Sequence, residues 1–327
     1  MKASLMNVNI DIQELTAVIL VADNDFGRCA MSSETPRALW PVGEKNVLQN
    51  LIDKIVESDI SKIVICSSQS SVRLSKALRV PETVDLRLHE EILPRGTAGS
   101  MQDAHFIAGT EYIMVFHAEI INPPDINKMI NAHAKGKSDM TVMFNPSFLN
   151  KDAQAYICRR SIMKHIPSEG YFDIKESLVP KLVQEGIQIY AADLEESVGG
   201  FRNWKQYLSV CMEHLENQYS EKPDISESAI VDETAVISGT VKVCGRAEIS
   251  KNSVVIGPAI IGPDVKLAER TAVSKSIIWD RANIESKSFV QNSLVSKDAI
   301  VSRNTAVEKS LYTSTSNISN SVKTAAE

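Results

Sequence analysis

The sequence has no apolar run near the ~18 residues that a membrane-spanning helix needs, so a membrane protein is not expected. It has no Cys-x-x-Cys pair. Cys29, Cys66, Cys158, Cys211 and Cys244 are scattered and odd in number, which indicates neither a zinc ribbon nor a disulfide framework and fits reduced thiols used as small core residues. The six histidines show no metal-ligand spacing, and none lies beyond His214. A dominant sign of charge is missing too: 35 Lys and Arg stand against 41 Asp and Glu, a net charge of -6 with no long block of either. Nucleic acid is therefore not an expected partner. The N-terminal stretch carries Asp11 and Glu14 rather than a basic region leading into an apolar core. It does not read as a secretory signal, and the cytoplasm is the expected compartment.

What is present is a repeat. From Ile225 an apolar residue falls at every sixth position: Ile225, Val231, Ile237, Val243, Ile249, Val255, Ile261, Leu267, Val273 and Trp279. The fourth residue after nearly every one is small or β-branched: Ala229, Ala235, Val241, Ala247, Ser253, Ala259, Val265, Thr271 and Ile277. This is the pattern of a left-handed parallel β-helix. Each hexapeptide makes a short strand and a turn, three make a triangular coil, and the aliphatic side chains of successive coils stack inside the prism. One coil cannot bury that face alone, so the repeat must continue. After Trp279 the phase slips to Ile284 and Val290, and again to Val295, Val301 and Val307. Such slips mark a bulge or an altered corner. With no histidine in the repeat there is no base for acyl transfer between prisms, so the repeat reads as an assembly or regulatory module.

Upstream, strand and helix signals alternate from Leu15 to about Asn217, as in a mostly parallel, Rossmann-like α/β sheet covered by helices. Strands are expected at 16–21, 62–66, 112–116, 140–144 and 187–191. Val47, Leu48, Leu51, Ile52, Ile55 and Val56 recur at helical spacing, as do Met129, Ile130 and His133. The expected organisation is an α/β domain over 1–217, a linker over 218–224, the β-helix over 225–311 and a disordered tail over 312–327.

Four stretches carry a resemblance: Ala17-Val18-Ile19-Leu20; Pro36-Arg37-Ala38-Leu39-Trp40-Pro41-Val42-Gly43; Arg95-Gly96-Thr97-Ala98-Gly99; and Phe172-Asp173-Ile174 with Val179-Pro180-Lys181-Leu182. In this order and followed by the hexapeptide helix, they resemble the sugar-1-phosphate nucleotidyltransferases of the mannose-1-phosphate guanylyltransferase and ADP-glucose pyrophosphorylase branch. The resemblance implies a nucleotide and sugar-phosphate pocket bounded by Arg28, Arg37 and the Gly96, Thr97, Ala98, Gly99 turn, with Arg37 as the catalytic cation. It also implies Mg²⁺ held at the position of Glu119.

The same resemblance exposes departures. The family's glycine-rich phosphate loop, Gly-Gly-x-Gly-Thr-Arg, falls on Ala22, Asp23, Asn24, Asp25, Phe26 and Gly27, where its three glycine positions are lost and two carboxylates stand where a polyanion should lie. The first metal aspartate is replaced by Glu119 and the second falls on Gly200, which has no ligating side chain. The sugar-phosphate Glu-Lys-Pro motif is absent, and only Asn145 to Gln154 joins two strands that relatives separate widely. The expectation is a catalytically degenerate member acting as a regulatory or structural subunit, a homo- or hetero-oligomer through the β-helix, with no cofactor. The alternative is an active sugar-1-phosphate nucleotidyltransferase using Mg²⁺.

Overall fold

A computed structural model describes residues 10–21, 31–32, 35–68, 71–144, 153–193, 199–218 and 222–314. These fall into two compact units: those within Met1–Phe26 and Val47–Gly199, and those within Gly27–Asn46 and Gly200–Glu327.

The first unit is built on a seven-stranded sheet of β1 (Leu15–Val21), β2 (Lys62–Ser67), β3 (Asp85–Glu90), β4 (Tyr112–His117), β5 (Met140–Phe144), β6 (Ala153–Arg159) and β7 (Ile189–Asp193). Their order is β3-β2-β1-β4-β6-β5-β7, and only β6 runs against its neighbours. Every residue of β1 is buried, which is why a continuous apolar run rather than an alternating one encodes it. Helices α1 (Val47–Val56), α2 (Ser71–Ala77), α3 (Gly96–Ala108), α4 (Ile126–Gly136) and the short α5 (Val179–Gln184) belong to this unit. α1 turns Val47, Leu48, Leu51, Ile52 and Ile55 inward, the stripe its spacing predicts. Asp125 caps α4 by accepting from the Lys128 amide. β3 was not among the expected strands. It is an edge strand of alternating polar and apolar residues, and only Leu86 and Leu88 mark its inner face.

The second unit contains helix α6 (Trp204–Gln218) and a three-sided parallel β-helix whose strands run from Asp224–Ile225 to Leu311–Tyr312. The interior stacks are aliphatic and nearly solvent-free, for example Val243, Ile261, Ile278 and Val295. Coils begin at 18 residues, as in Val243 over Ile261 and Val255 over Val273. They shorten to 17 from Ile261 over Ile278 onward. The missing residue is always at one corner: the six-residue step from Val255 to Ile261 becomes five from Val273 to Ile278, from Val290 to Val295 and from Val307 to Tyr312. At each shortened corner a residue takes the left-handed conformation, Lys275, Asn292 and Lys309 at φ of 46°, 47° and 48°. It is followed by serine: the Ser293 amide donates to Ser276 Oγ and the Ser310 amide to Ser293 Oγ, both at 3.1 Å.

This corrects the sequence reading at the first shortened corner. Ile278, not Trp279, continues the interior stack, and Ser276, not Ile277, fills the small-residue place behind it. Trp279 instead joins a buried aromatic cluster with Trp40, Tyr207 and Phe201. Trp40 lies 5.5 Å from Phe201, 5.1 Å from Tyr207 and 5.6 Å from Trp279 between ring centroids. Trp279 Nε1 donates to the Tyr207 hydroxyl at 3.1 Å, and that hydroxyl donates to the Pro41 carbonyl. The β-helix also extends past the expected end at Leu311: Tyr312 pairs with Val295, and the Ser314 amide donates to Ser296 Oγ. The expected tail beyond that point lies outside the described residues. The expected linker begins inside α6, which runs through Gln218.

Candidate functional site

In a mostly parallel sheet, ligands lie beyond the carboxyl ends of the strands. In the first unit those ends present Ser67 at the end of β2, Glu90 and Glu91 at the end of β3, and His117 to Glu119 at the end of β4. The Ala118 amide donates to the Leu20 carbonyl at 2.9 Å and ties the end of β4 to β1. Glu119 follows, only 9% exposed. Its carboxylate is therefore largely withdrawn from water, unlike a strand-end acid facing solvent, and such burial is tolerated only with compensating interactions. Glu91, which the sequence reading passed over, sits at the same edge with one carboxylate oxygen buried and no hydrogen-bond partner among the described residues. Its amide donates to the Ser67 carbonyl at 2.8 Å, and the neighbouring Glu90 accepts from the Ser71 amide at 3.1 Å. The consecutive acids at a strand end were its only signal. Burial, then the charges of Glu91 and Asp103, push the Cys66 thiol far above its usual range, so it is not a nucleophile.

Two of the motif stretches in the sequence prove to bind each other. Gly96 opens α3 at φ 77°, and a Cβ there would stand 2.6 Å from the Phe172 carbonyl oxygen. That oxygen accepts from the amides of Ala98 at 3.0 Å and Gly99 at 3.3 Å, while the Phe172 amide donates to the Arg95 carbonyl at 2.7 Å. The Thr97 hydroxyl donates to Asp173 at 2.8 Å and accepts from the Ile174 amide at 2.8 Å. The second Asp173 oxygen takes the amides of Lys175 and Glu176 at 2.8 and 3.0 Å. A helix N-terminus attracts phosphate through its unsatisfied amides. Here those of Ala98 and Gly99 are already occupied from within the unit. At Gly99 a Cβ would lie 2.5 Å from Arg95 Cβ, so this glycine too is accounted for by close packing. Arg95 is fixed by Asp103, by Gln102 at 3.0 Å and by the Pro167 carbonyl at 2.8 Å.

The remaining sequence candidates are distributed differently. Arg37 belongs to the second unit, where it opens a single helical turn over Arg37–Leu39 and its guanidinium donates to the Arg202 carbonyl at 3.1 Å. Gly96, Thr97, Ala98, Gly99 and Glu119 belong to the first. Arg28, the loop from Ala22 to Gly27 and nearly all of the Asn145–Gln154 connection lie outside the described residues. No group of three or more His, Cys, Asp or Glu is arranged to hold a metal among the described residues. Of the two positions that the resemblance assigns to magnesium, Glu119 alone has a side-chain oxygen to offer, and Gly200 has no side chain. Those two positions thus do not make a two-carboxylate magnesium site. A groove of about 430 Å³ opens between α4 and β7, with Lys128, Lys135, Met143 and Tyr190 among its walls. None of the candidate site residues Arg28, Arg37, Gly96, Thr97, Ala98, Gly99 and Glu119 is among the residues that line it.

Residues 29–156 match the family model described as nucleotidyl transferase. The chain carries a nucleotidyltransferase-family domain. A UTP–glucose-1-phosphate uridylyltransferase of Synechocystis sp. is similar to it, 24% identical over 140 residues, and the match covers 39% of this chain and 36% of that relative. The shared part is thus little more than a third of either protein. The span matched to the nucleotidyltransferase family opens after β1 and after Ala22–Gly27, and closes inside β6. No helix among the described residues is long and apolar enough to cross a membrane.

Proposed function

We propose that this nucleotidyltransferase-family protein is catalytically degenerate and serves as a regulatory or structural subunit in sugar-nucleotide metabolism. The observation that carries the reading is the segment Ala22-Asp23-Asn24-Asp25-Phe26-Gly27, which stands where the resemblance calls for a glycine-rich triphosphate cradle. The family match begins only beyond it. Glycines there let backbone amides reach phosphate oxygens, and carboxylates repel them. The occupied amides of α3 and the missing ligand at Gly200 support the same reading. Resemblance to chains that keep this architecture without full catalysis, such as regulatory subunits of ADP-glucose pyrophosphorylase, is consistent with a cytoplasmic protein that assembles through its β-helix.

The test is pyrophosphate release from the common nucleoside triphosphates with a series of hexose 1-phosphates and Mg²⁺. Background rates are expected with every pair, and turnover with any pair would overturn the proposal. The double substitution Asp23→Gly, Asp25→Gly separates binding from chemistry: nucleotide affinity should rise by at least about tenfold, ~1.4 kcal/mol, without turnover. The second reading, an active sugar-1-phosphate nucleotidyltransferase, is favoured by the survival of Arg37 and Gly96-Thr97-Ala98-Gly99 and by the similarity to a uridylyltransferase. In that reading Arg28 and Arg37 bind phosphate, Glu119 binds Mg²⁺ and the sugar phosphate displaces pyrophosphate.

A further inference from the structure

The two ends of the β-helix are finished differently. At the C-terminal end Tyr312 follows Val295 in an inward stack, and its hydroxyl reaches back to donate to the Ile300 carbonyl at 3.1 Å. The other inward residues of that last coil, Val301 and Val307, are 0% and 3% exposed. At the N-terminal end the inward residues are Ile225, Val231 and Ile237, and Ile225 is 42% exposed. One coil further in, Val243, Ile249 and Val255 are buried. Among the described residues, only the C-terminal end is closed.

The open end is also an edge of hydrogen-bonding groups. The carbonyls of Val243 and Ile249 accept the amides of Ser226 and Asp232 from the coil before. A residue in a parallel ladder turns its amide and carbonyl to the same neighbour, so the inward residues of each coil bond toward the N-terminal end. Ile225, Val231 and Ile237 have no described coil on that side, since their strands pair only with the coil that follows. Three short strands thus present open backbone, which an extended chain satisfies and a helix does not.

Charge narrows the choice of chain. The first coil carries Asp224, Glu227, Asp232 and Glu233 against Lys222. The charges of the second coil are committed: Lys242 pairs with Asp224, Arg246 with Asp264, Lys251 with Glu269 and Glu248 with Lys266. Glu44, at the Gly245 amide, stands beside the first corner, and Lys45 follows it in sequence. Once the pairs are set aside, Glu44, Glu227, Asp232 and Glu233 remain against Lys45 and Lys222. The end is acidic. A second copy docked through the same coil would set these acids against their own counterparts, which opposes association. Through its C-terminal end it would offer Tyr312 rather than an open edge.

We infer that the N-terminal end of the β-helix receives a basic extended segment of a partner protein, which adds as one more coil against Ile225, Val231 and Ile237. The chain's own second coil shows the fit. Its register sets Lys242 beside Asp224, and the Arg246 and Asn252 amides donate to Ser228 and Thr234, the residues after Glu227 and Glu233. A segment of this kind on the outer side would bring its cations to the same acids.

The inference rests on the subunit reading only for the existence of a partner. Its test is binding rather than turnover, so the two fail separately. Fluorescence anisotropy with the full chain, under reducing conditions, would compare a labelled peptide of residues 241–256 with the same peptide carrying glutamate in place of Lys242, Arg246 and Lys251. The basic peptide should bind at least about tenfold more tightly, and its affinity should fall as salt is raised. Glu227→Lys with Glu233→Lys should remove the preference and leave the melting temperature unchanged. By hydrogen exchange, the amides of Ile225, Val231 and Ile237 should exchange quickly in the free chain and become protected with the peptide. Equal affinity for the two peptides, no binding of either, or binding without that protection would overturn the inference. So would protection of these amides in the free chain, since the end would then already be covered by the chain itself or by a second copy.

Discussion

At the scale of single residues, Gly96 and Gly43 separate strain from packing. Both have φ near 70°, but a Cβ at Gly43 meets nothing within 4 Å, whereas one at Gly96 meets backbone atoms of Phe172. Gly43→Ala should cost about 1–2 kcal/mol, the ordinary left-handed penalty. Gly96→Ala should cost at least about 3 kcal/mol because Phe172 backbone cannot yield as a side-chain tip would; urea unfolding of both variants measures the difference, and equal costs would mean that the Phe172 contact is soft. His133 supplies a pH prediction. It is 3% exposed, its Nδ1 lies 2.7 Å from the Thr141 hydroxyl, and burial, aided by Arg159, lowers its pKa from 6.5 to about 4. The unfolded chain therefore binds the proton first. The stabilisation is complete well above the unfolded pKa of 6.5 and is lost as pH falls toward about 4, on the order of 3 kcal/mol in all. His133→Gln should flatten the stability profile in that window, and an unchanged acid limb would show that His133 is not its source.

At the scale of elements, much of the architecture was legible because periodicity is a physical demand of burial. β1 announced itself as an unbroken apolar run, α1 as a stripe, and the β-helix as a six-residue period. The misreading at Trp279 has an equally physical cause. A residue deleted at a corner shifts the inward position to Ile278, yet Trp279 is large, apolar and buried at 3%, so it satisfies the old period for a different reason. β3 escaped because an edge strand needs only two inward residues. At the candidate site the glycines of Gly96-Thr97-Ala98-Gly99 were legible as a tight turn. Their partner, the carbonyl of Phe172, was not, because backbone groups leave no mark in sequence. The corner shift makes a prediction. Ile278→Ala empties a place in the interior stack and should cost about 2–5 kcal/mol. Arg281→Ala, which removes a surface pairing with Asp298 at 2.7 Å, should cost less than about 1 kcal/mol. Chemical denaturation of the two variants orders them, and a larger loss from Arg281→Ala would contradict the stacking account.

At the scale of the whole molecule, the sequence suggests a cut after Asn217, between an α/β half and a repeat. The described residues divide otherwise: 27–46 and 200–218 group with the β-helix. The reason is the aromatic cluster, to which Trp40 comes from the first of these segments, Phe201 and Tyr207 from the second and Trp279 from the repeat. The turn at Glu44 adds a further tie, accepting the Gly245 amide at 3.1 Å. A chain ending at Asn217 would keep three of the four rings and lose the fourth, exposing Trp40 and Tyr207, both 0% exposed in the intact protein. It would also leave the Tyr207 hydroxyl without the Trp279 N–H. Uncovering two such side chains forfeits about 3–6 kcal/mol of burial, a large part of a typical domain's stability. The shortened chain should therefore aggregate or bind a hydrophobic dye strongly, with red-shifted tryptophan emission. In the intact chain, Trp279→Ala should reproduce a milder form of the same defect, about 3–5 kcal/mol, while Trp279→Phe should retain most of the stability and lose chiefly the hydrogen bond to Tyr207. A soluble, cooperatively melting chain of 217 residues without dye binding would mean that the cluster is dispensable to the α/β half, and that the boundary suggested by the sequence is the physical one.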